Sequence, residues 1–348
     1  MILNSYAVLD GFITSLRLGL GLLILFVGFT ACRTWFSRRT LSEKHQSIDA
    51  PLHLLYQLAV LLLVLNVVSW PIFYLMLLSY VPEWPGVMCI YGVMQIGTGS
   101  EGTARFLPIL LQCLQATKPL LVFLSGAWFV LHLLNRRTRT ASLTNLVLAF
   151  IMGAALMSLS DGVAELAYLA IPKKEEFAAA GCCTTILRES TDSFRFLPRV
   201  YLGEYPDSLF YAAYYGINSF MVLGLGWVVF WARRSFVQSS LGILLSAGLI
   251  SALVNWLFLG RVAAPILLHM PNHNCPYDLI SEAPGSIVSF VFFVGGFYCL
   301  GWAGVARWLG MCHETKSFMN ESIHRLLLLG LLGYLGSLVI MTVELALA

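Results

Sequence analysis

Charged residues are scarce in this chain. Only 11% of its 348 residues are Asp, Glu, Lys or Arg, whereas 58% are apolar. A soluble globular protein carries about 25% charged residues, and a mean hydropathy of +0.79 implies more apolar surface than one soluble core can hide. The composition excludes a soluble enzyme, a nucleic-acid-binding domain, a disordered chain and a fibrous protein. It predicts an integral membrane protein whose main partner is the lipid bilayer.

Several motifs that would identify an activity are also missing. The sequence has no Cys-x-x-Cys, which weakens the case for a thiol oxidoreductase, and no Cys-x-x-Cys-His for attaching c-type haem. It has no nucleotide-binding motif, so an ATP-driven role would need a separate subunit. Residues 1–10 contain no Lys or Arg. Because a cleaved signal peptide begins with a basic region, we expect the first helix to remain in the mature protein.

Eight apolar segments reach the roughly 20 residues that a membrane-spanning helix needs. None shows the apolar–polar alternation that is typical of porin strands. We therefore predict an all-α polytopic membrane protein with eight transmembrane helices. Their approximate bounds are 11–32, 54–80, 106–134, 143–171, 208–232, 238–263, 285–306 and 326–346.

Basic residues are concentrated in the loops after the first, third, fifth and seventh segments. Cytoplasmic loops are enriched in Lys and Arg, so these loops should be cytoplasmic and both chain termini should lie outside. We expect the protein in a bacterial inner (plasma) membrane, with the loops after the even-numbered segments on the outer side.

The sequence contains signs of an internal repeat. Cys89, Cys182 and Cys275 lie 93 residues apart, and Arg-Phe-Leu-Pro occurs at 105–108 and again at 195–198. These features predict a single transmembrane domain made of four helical hairpins, although hairpins of similar length could match by coincidence. The hairpins would cover about 1–105, 106–207, 208–284 and 285–348.

The cysteines of the outer loops are candidate catalytic residues. Cys89, Cys182, Cys183 and Cys275 would face an oxidising compartment, where disulfides persist. Thiol–disulfide exchange with an exported partner is one interpretation, because a strained disulfide is easily reduced. The alternative is structural: Cys89 and Cys275 would each bond one member of the Cys182–Cys183 pair and fasten three loops together.

A metal site is a further interpretation of the outer face. His269, His273 and Cys275 lie within seven residues of each other, and imidazole and thiolate together suit copper or zinc. The spacing matches no tight metal signature, and an unliganded loop histidine is the more frequent situation. No other cofactor is indicated.

Ionisable residues within the predicted spans form a third candidate site. Lys118 should lie near mid-membrane, and Asp161 and Glu165 share one helical face at i and i+4, so that Lys118 could pair with Asp161. Such residues are costly in lipid and usually face a partner or a cavity. They could line a transport path or simply fix helix register. This set of intramembrane ionisable residues also includes three in the outer half of the membrane: Arg17, Arg261 and Glu344.

Two main functional hypotheses follow. The first is a membrane subunit whose outer Cys/His cluster takes part in thiol redox, electron transfer or metal handling with an exported thiol or electron-transfer protein. The second is a transporter or permease component that uses Lys118, Asp161 and Glu165, with the outer cysteines as structural disulfides. A non-catalytic scaffold for other membrane subunits is a third possibility.

Overall fold

Eight long helices dominate the fold. The structure is a computed structural model that describes residues 4–39, 49–84, 87, 89–97, 102–172, 205–231, 236–269 and 275–348. All regular elements in these ranges are helical, and eight helices are long and apolar enough to cross a bilayer. They are α1 (Ser5–Arg39), α2 (Asp49–Tyr80), α3 (Phe106–Arg136), α4 (Thr144–Ala170), α5 (Asp207–Phe230), α6 (Phe236–Phe258), α7 (Pro284–Leu309) and α8 (Lys316–Leu347).

The helices extend beyond some of the apolar segments that predicted them. Helix α1 begins at Ser5 and α8 at Lys316, because backbone hydrogen bonding continues through residues that interrupt an apolar window, Asp10 in α1 and the polar residues of 316–325 in α8. Helix α6 is followed directly by a π-helical turn, Leu259–Ala263, and by one more α-helical turn, Ala264–Leu267.

The chain divides into two compact units, Met1–Ala180 and Gly181–Ala348. Unit 1 contains α1–α4 and unit 2 contains α5–α8. The division into four repeated hairpins, and the sides on which the termini lie, stay predictions.

In unit 1, α1 packs against α2 and α4, and α3 packs against α2 and α4. Gly162 lets α4 approach α1, since a Cβ there would lie 2.8 Å from Leu18 Cδ2 and 3.5 Å from Thr14 Cγ2. This close approach brings a polar face of α1 against the face of α4 that carries the two predicted carboxylates.

In unit 2, α7 and α8 make backbone contact through glycines. A Cβ on Gly333 would lie 2.6 Å from Gly296 Cα and 2.8 Å from the carbonyl oxygen of Phe292. Small residues that allow such approach are typical of helix pairs in membranes. Helix α5 packs against α6 and α8 and completes the unit.

Candidate functional site

Arg17 is the centre of a buried polar network in unit 1. Its Nε donates to Asn66 Oδ1 at 3.1 Å, its Nη1 to Ser69 Oγ at 2.6 Å, and its Nη2 to Asp161 Oδ2 at 2.7 Å. Nη1 also lies 3.2 Å from Glu165 Oε2. A guanidinium can fill such a site because its donors are arranged in a fixed planar fork.

Lys118 reaches the same two carboxylates from α3. Its Nζ lies 3.4 Å from Asp161 Oδ2, the contact expected from the depths of the two helices, and 2.6 Å from Glu165 Oε1. It donates to Ser69 Oγ at 3.0 Å and lies 4.7 Å from the centre of the Phe73 ring. Arg17 and Lys118 therefore share both acids of α4.

Hydroxyl and amide groups complete this network. Thr14 donates to Glu165 Oε2 at 2.7 Å, and Thr117 donates to Asp161 Oδ1. Asn66 Oδ1, which accepts from Arg17, also accepts from Ser158 at 3.2 Å, and Asn66 Nδ2 donates to Ser125 Oγ at 3.1 Å. Asp161 and Glu165 are thus contacted by donors on both α1 and α3, and among the described residues Glu165 Oε1 has only the charge contact with Lys118.

Asp10 is a fifth ionisable residue in the same place. Thr14 and Arg17 follow it at i+4 and i+7, so all three lie on one face of α1. Thr14, one turn after Asp10 on this face, donates to Glu165 at 2.7 Å, so the Asp10 carboxyl also faces Glu165, whose charge repels it, while Lys118 and Arg17 attract it. Neither Asp10 oxygen accepts a hydrogen bond from any donor among the residues that the structure describes.

These five residues are called the charge cluster below, and they include unequal numbers of positive and negative groups. None is more than 2% exposed, and all lie in membrane-spanning helices. Two cations face three carboxyl groups, so full ionisation would leave one uncompensated negative charge in the interior. An isolated buried charge is so costly that it is normally neutralised. The members are Asp10, Arg17, Lys118, Asp161 and Glu165.

A second group of polar residues lies near the C-terminal end of α3. His132 stacks on Trp128 with a centroid distance of 5.5 Å and lies 4.4 Å from the Tyr56 ring. Trp128 Nε1 and His132 Nδ1 are buried without a hydrogen-bond partner in the described part of the chain. Asn135 donates to Thr144 Oγ1 at 3.2 Å and accepts from the Leu143 amide at 2.9 Å.

Two residues of the predicted intramembrane set belong to unit 2 instead. Arg261 lies in the π-helical turn and pairs with Asp207 at 3.3 Å, where the Asp207 side chain is 64% exposed. Glu344 is half-buried on α8 and covers Gly285, at the start of α7. Of the six predicted residues, the structure therefore places four in the charge cluster: Arg17, Lys118, Asp161 and Glu165.

The outer Cys/His site is described only in part. Cys89 is 2% exposed in unit 1, where it precedes the helix Ile90–Gln95, and Cys275 is 4% exposed in unit 2. His269 is exposed, and its φ of +53° ends the helical stretch after α6. The other three predicted residues, Cys182, Cys183 and His273, lie outside the described residues, so the disulfide pairing and the metal site stay predictions.

Sequence reasoning missed Asp10 and the neutral members of the network. Asp10 directly precedes the first apolar segment, so an apolar window treats it as a loop residue. The spacing of Asp10, Thr14 and Arg17 along one helical face would have identified it. Asn66 and Ser69 carry no comparable signal, because single polar residues in a membrane helix often bond a neighbouring helix.

Comparison of the chain with protein-family models, with curated proteins and with solved structures finds no match in any of the three. The function is therefore argued from the charge cluster itself.

Proposed function

We propose that this protein is a transporter or permease component of a bacterial plasma membrane, and that the charge cluster binds the transported or coupling ion. The observation that carries the proposal is the unequal charge of the cluster, with three carboxyl groups against two cations in a site no more than 2% exposed. Two cations and two carboxylates already suffice for ion pairs that fix helix register, so the third carboxyl group is available to bind a cation.

The polar groups that continue along unit 1 support this proposal. Lys118, Ser125, Trp128 and His132 are spaced by seven, three and four residues, so they follow one face of α3. All four are buried, and the Trp128 and His132 ring nitrogens named above have no hydrogen-bond partner among the described residues. Ionisable residues buried in a membrane-spanning helix, here Lys118 and His132, often mark an ion pathway.

Ion flux into liposomes tests the proposal. Purified protein is reconstituted around a trapped pH-sensitive dye or, in a parallel batch, a sodium-sensitive dye, and a membrane potential is imposed. Asp161→Asn and Glu165→Gln should each reduce the protein-dependent flux to the rate of empty liposomes, because both remove a carboxylate shared by Arg17 and Lys118. The control is Glu321→Gln, which removes an exposed carboxylate paired with Arg325 on α8.

The outcomes also address the alternative function at the outer face. A flux that survives in both acid variants, or that is lost equally in Glu321→Gln, contradicts the transport proposal. Cys89→Ser should leave the flux intact if the cysteines are structural. Loss of activity in a folded Cys89→Ser protein would favour thiol redox, electron transfer or metal handling with an exported partner.

A further inference from the structure

Asp10 differs from the other two carboxyl groups of the charge cluster in what surrounds it. Asp161 accepts from Arg17, Lys118 and Thr117, and Glu165 is contacted by Arg17, Lys118 and Thr14. Asp10 accepts no hydrogen bond from the described residues, although it is as deeply buried as they are. Donors stabilise the ionised form of a carboxyl group, so Asp10 is the member of the three that is least able to remain charged.

The placement of Asp10 beside Glu165 indicates what neutralises it. An ionised carboxylate is an acceptor only, so two carboxyl groups within hydrogen-bonding reach form a bond only if one of them carries a proton. Two like charges at such a distance cannot both ionise readily in a low-dielectric site. Glu165 is fixed as the acceptor by its contacts with Arg17 and Lys118, which leaves Asp10 as the donor.

We infer that Asp10 and Glu165 form a proton-binding site in which Asp10 carries the proton and donates a hydrogen bond to Glu165, and that H⁺ is the coupling ion of the proposed transport. Only the last clause rests on the proposed function. On release, the O–H bond of Asp10 breaks, the electron pair stays on the carboxylate and the proton leaves to water. The net charge of the charge cluster then falls from zero to minus one.

The groups around Asp10 favour a proton over a metal cation. Besides Glu165, they are Arg17 on its own helix, Lys118 on α3, Tyr80 on α2 and Tyr168 on α4. Hard metal cations require several oxygen ligands, and here such a cation would lie beside two positive side chains. The two tyrosines are buried phenols, whereas Asp10 is the carboxyl group that lacks a donor among the described residues, so we assign the proton exchange to Asp10.

Infrared spectroscopy of the protein in lipid tests this site independently of transport. At neutral pH the wild type should show the carbonyl stretch of a buried carboxylic acid, which shifts in heavy water and is lost as the pH is raised. Asp10→Asn should remove this band, while Glu321→Gln should retain it. Glu165→Gln should shift the band, because it changes the acceptor of the Asp10 hydrogen bond.

Each result of this experiment has a defined meaning. Absence of an acid band, or a band that survives Asp10→Asn, overturns the inference, as does a band removed by Na⁺ at constant pH. Asn at position 10 can donate an amide hydrogen bond to Glu165, so we expect this variant to fold, which circular dichroism checks. An Asp10 band in a protein without ion flux would retain the proton site and reject only the transport function. If the flux is lost in Asp161→Asn but the wild type shows no Asp10 band, the transport function would be retained and the proton site rejected.

Discussion

The two units solve the same packing problem with different side chains. Each contains four membrane-spanning helices, with mean hydropathies of 1.5 to 2.3 in unit 1 and 1.4 to 2.3 in unit 2. Unit 1 buries the five ionisable residues of the charge cluster. Unit 2 joins its helices by glycine contacts and neutral hydrogen bonds, such as Ser251 to Tyr334 at 3.1 Å and Ser289 to the Ser337 carbonyl at 2.9 Å.

This difference bears on why unit 1 contains charges at all. In its described residues, unit 2 packs four such helices largely through small and neutral residues, and its Arg261–Asp207 pair is partly exposed. Replacing a buried ion pair by apolar residues is often neutral or stabilising, so stability alone gives little reason to keep five ionisable groups in a bilayer. The comparison therefore favours a functional role for the charge cluster over a purely structural one.

The largest expected effect comes from removing the centre of the charge cluster. Arg17→Leu leaves Asp161 and Glu165 with only Lys118 as a cationic partner. Breaking a buried pair by removing one partner costs about 3–5 kcal/mol, and we expect a loss of this size in the free energy of unfolding. Unfolding titrations in mixed detergent micelles measure it.

The matched control for Arg17 is the arginine of unit 2. Arg261→Leu removes a partly exposed cation whose partner, Asp207, is largely in solvent, and exposed pairs contribute less than about 1 kcal/mol. If the two substitutions cost the same, the charge cluster is no more than a surface-like ion pair and the contrast between the units fails.

Apolar segment length was enough to predict the eight helices, because a bilayer imposes one span length on every segment. Helix depth was also enough to expect Lys118 beside Asp161. The division into units could not be predicted in this way, since it depends on contacts between distant residues such as Gly162 with Leu18 and Gly296 with Gly333.

The sequence did not predict which ionisable residues belong together in the charge cluster. Asp10 belongs to the charge cluster because α1 begins at Ser5, whereas the predicted apolar segment begins only at residue 11. Arg261 and Glu344 were assigned to one set with Arg17 because depth in the membrane was the only coordinate available. Depth does not tell which helices are neighbours, and the structure assigns these two residues to unit 2.

An effect of intermediate size is expected where α7 and α8 touch. Gly333→Ala places a methyl group 2.6 Å from Gly296 Cα, and such overpacking costs about 1–3 kcal/mol. Gly295→Ala is the control, because a Cβ there meets nothing within 4 Å and alanine is the better helix former by up to about 1 kcal/mol. The two variants should shift the unfolding midpoint in opposite directions. A shift in the same direction would mean that α7 and α8 can separate at little cost.

The smallest expected effect concerns the neutral pair of unit 2. Asn255 Nδ2 donates to Asn218 Oδ1 at 3.2 Å and to the Ser251 carbonyl at 2.7 Å, and Asn218 donates to the Tyr214 carbonyl at 2.9 Å. Each amide thus keeps a backbone partner when the other is removed. A double-mutant cycle with Asn218→Leu and Asn255→Leu should give a coupling energy of about 0.6 kcal/mol, the average for such bonds in a membrane protein.

The same cycle with Arg17→Leu and Asp161→Leu should give a coupling energy several times larger, because removing one of those partners leaves the other charge buried without its partner. Equal coupling in the two cycles would mean that neutral and charged residues hold these helices equally well, and the argument that unit 1 keeps its charges for function would lose its basis.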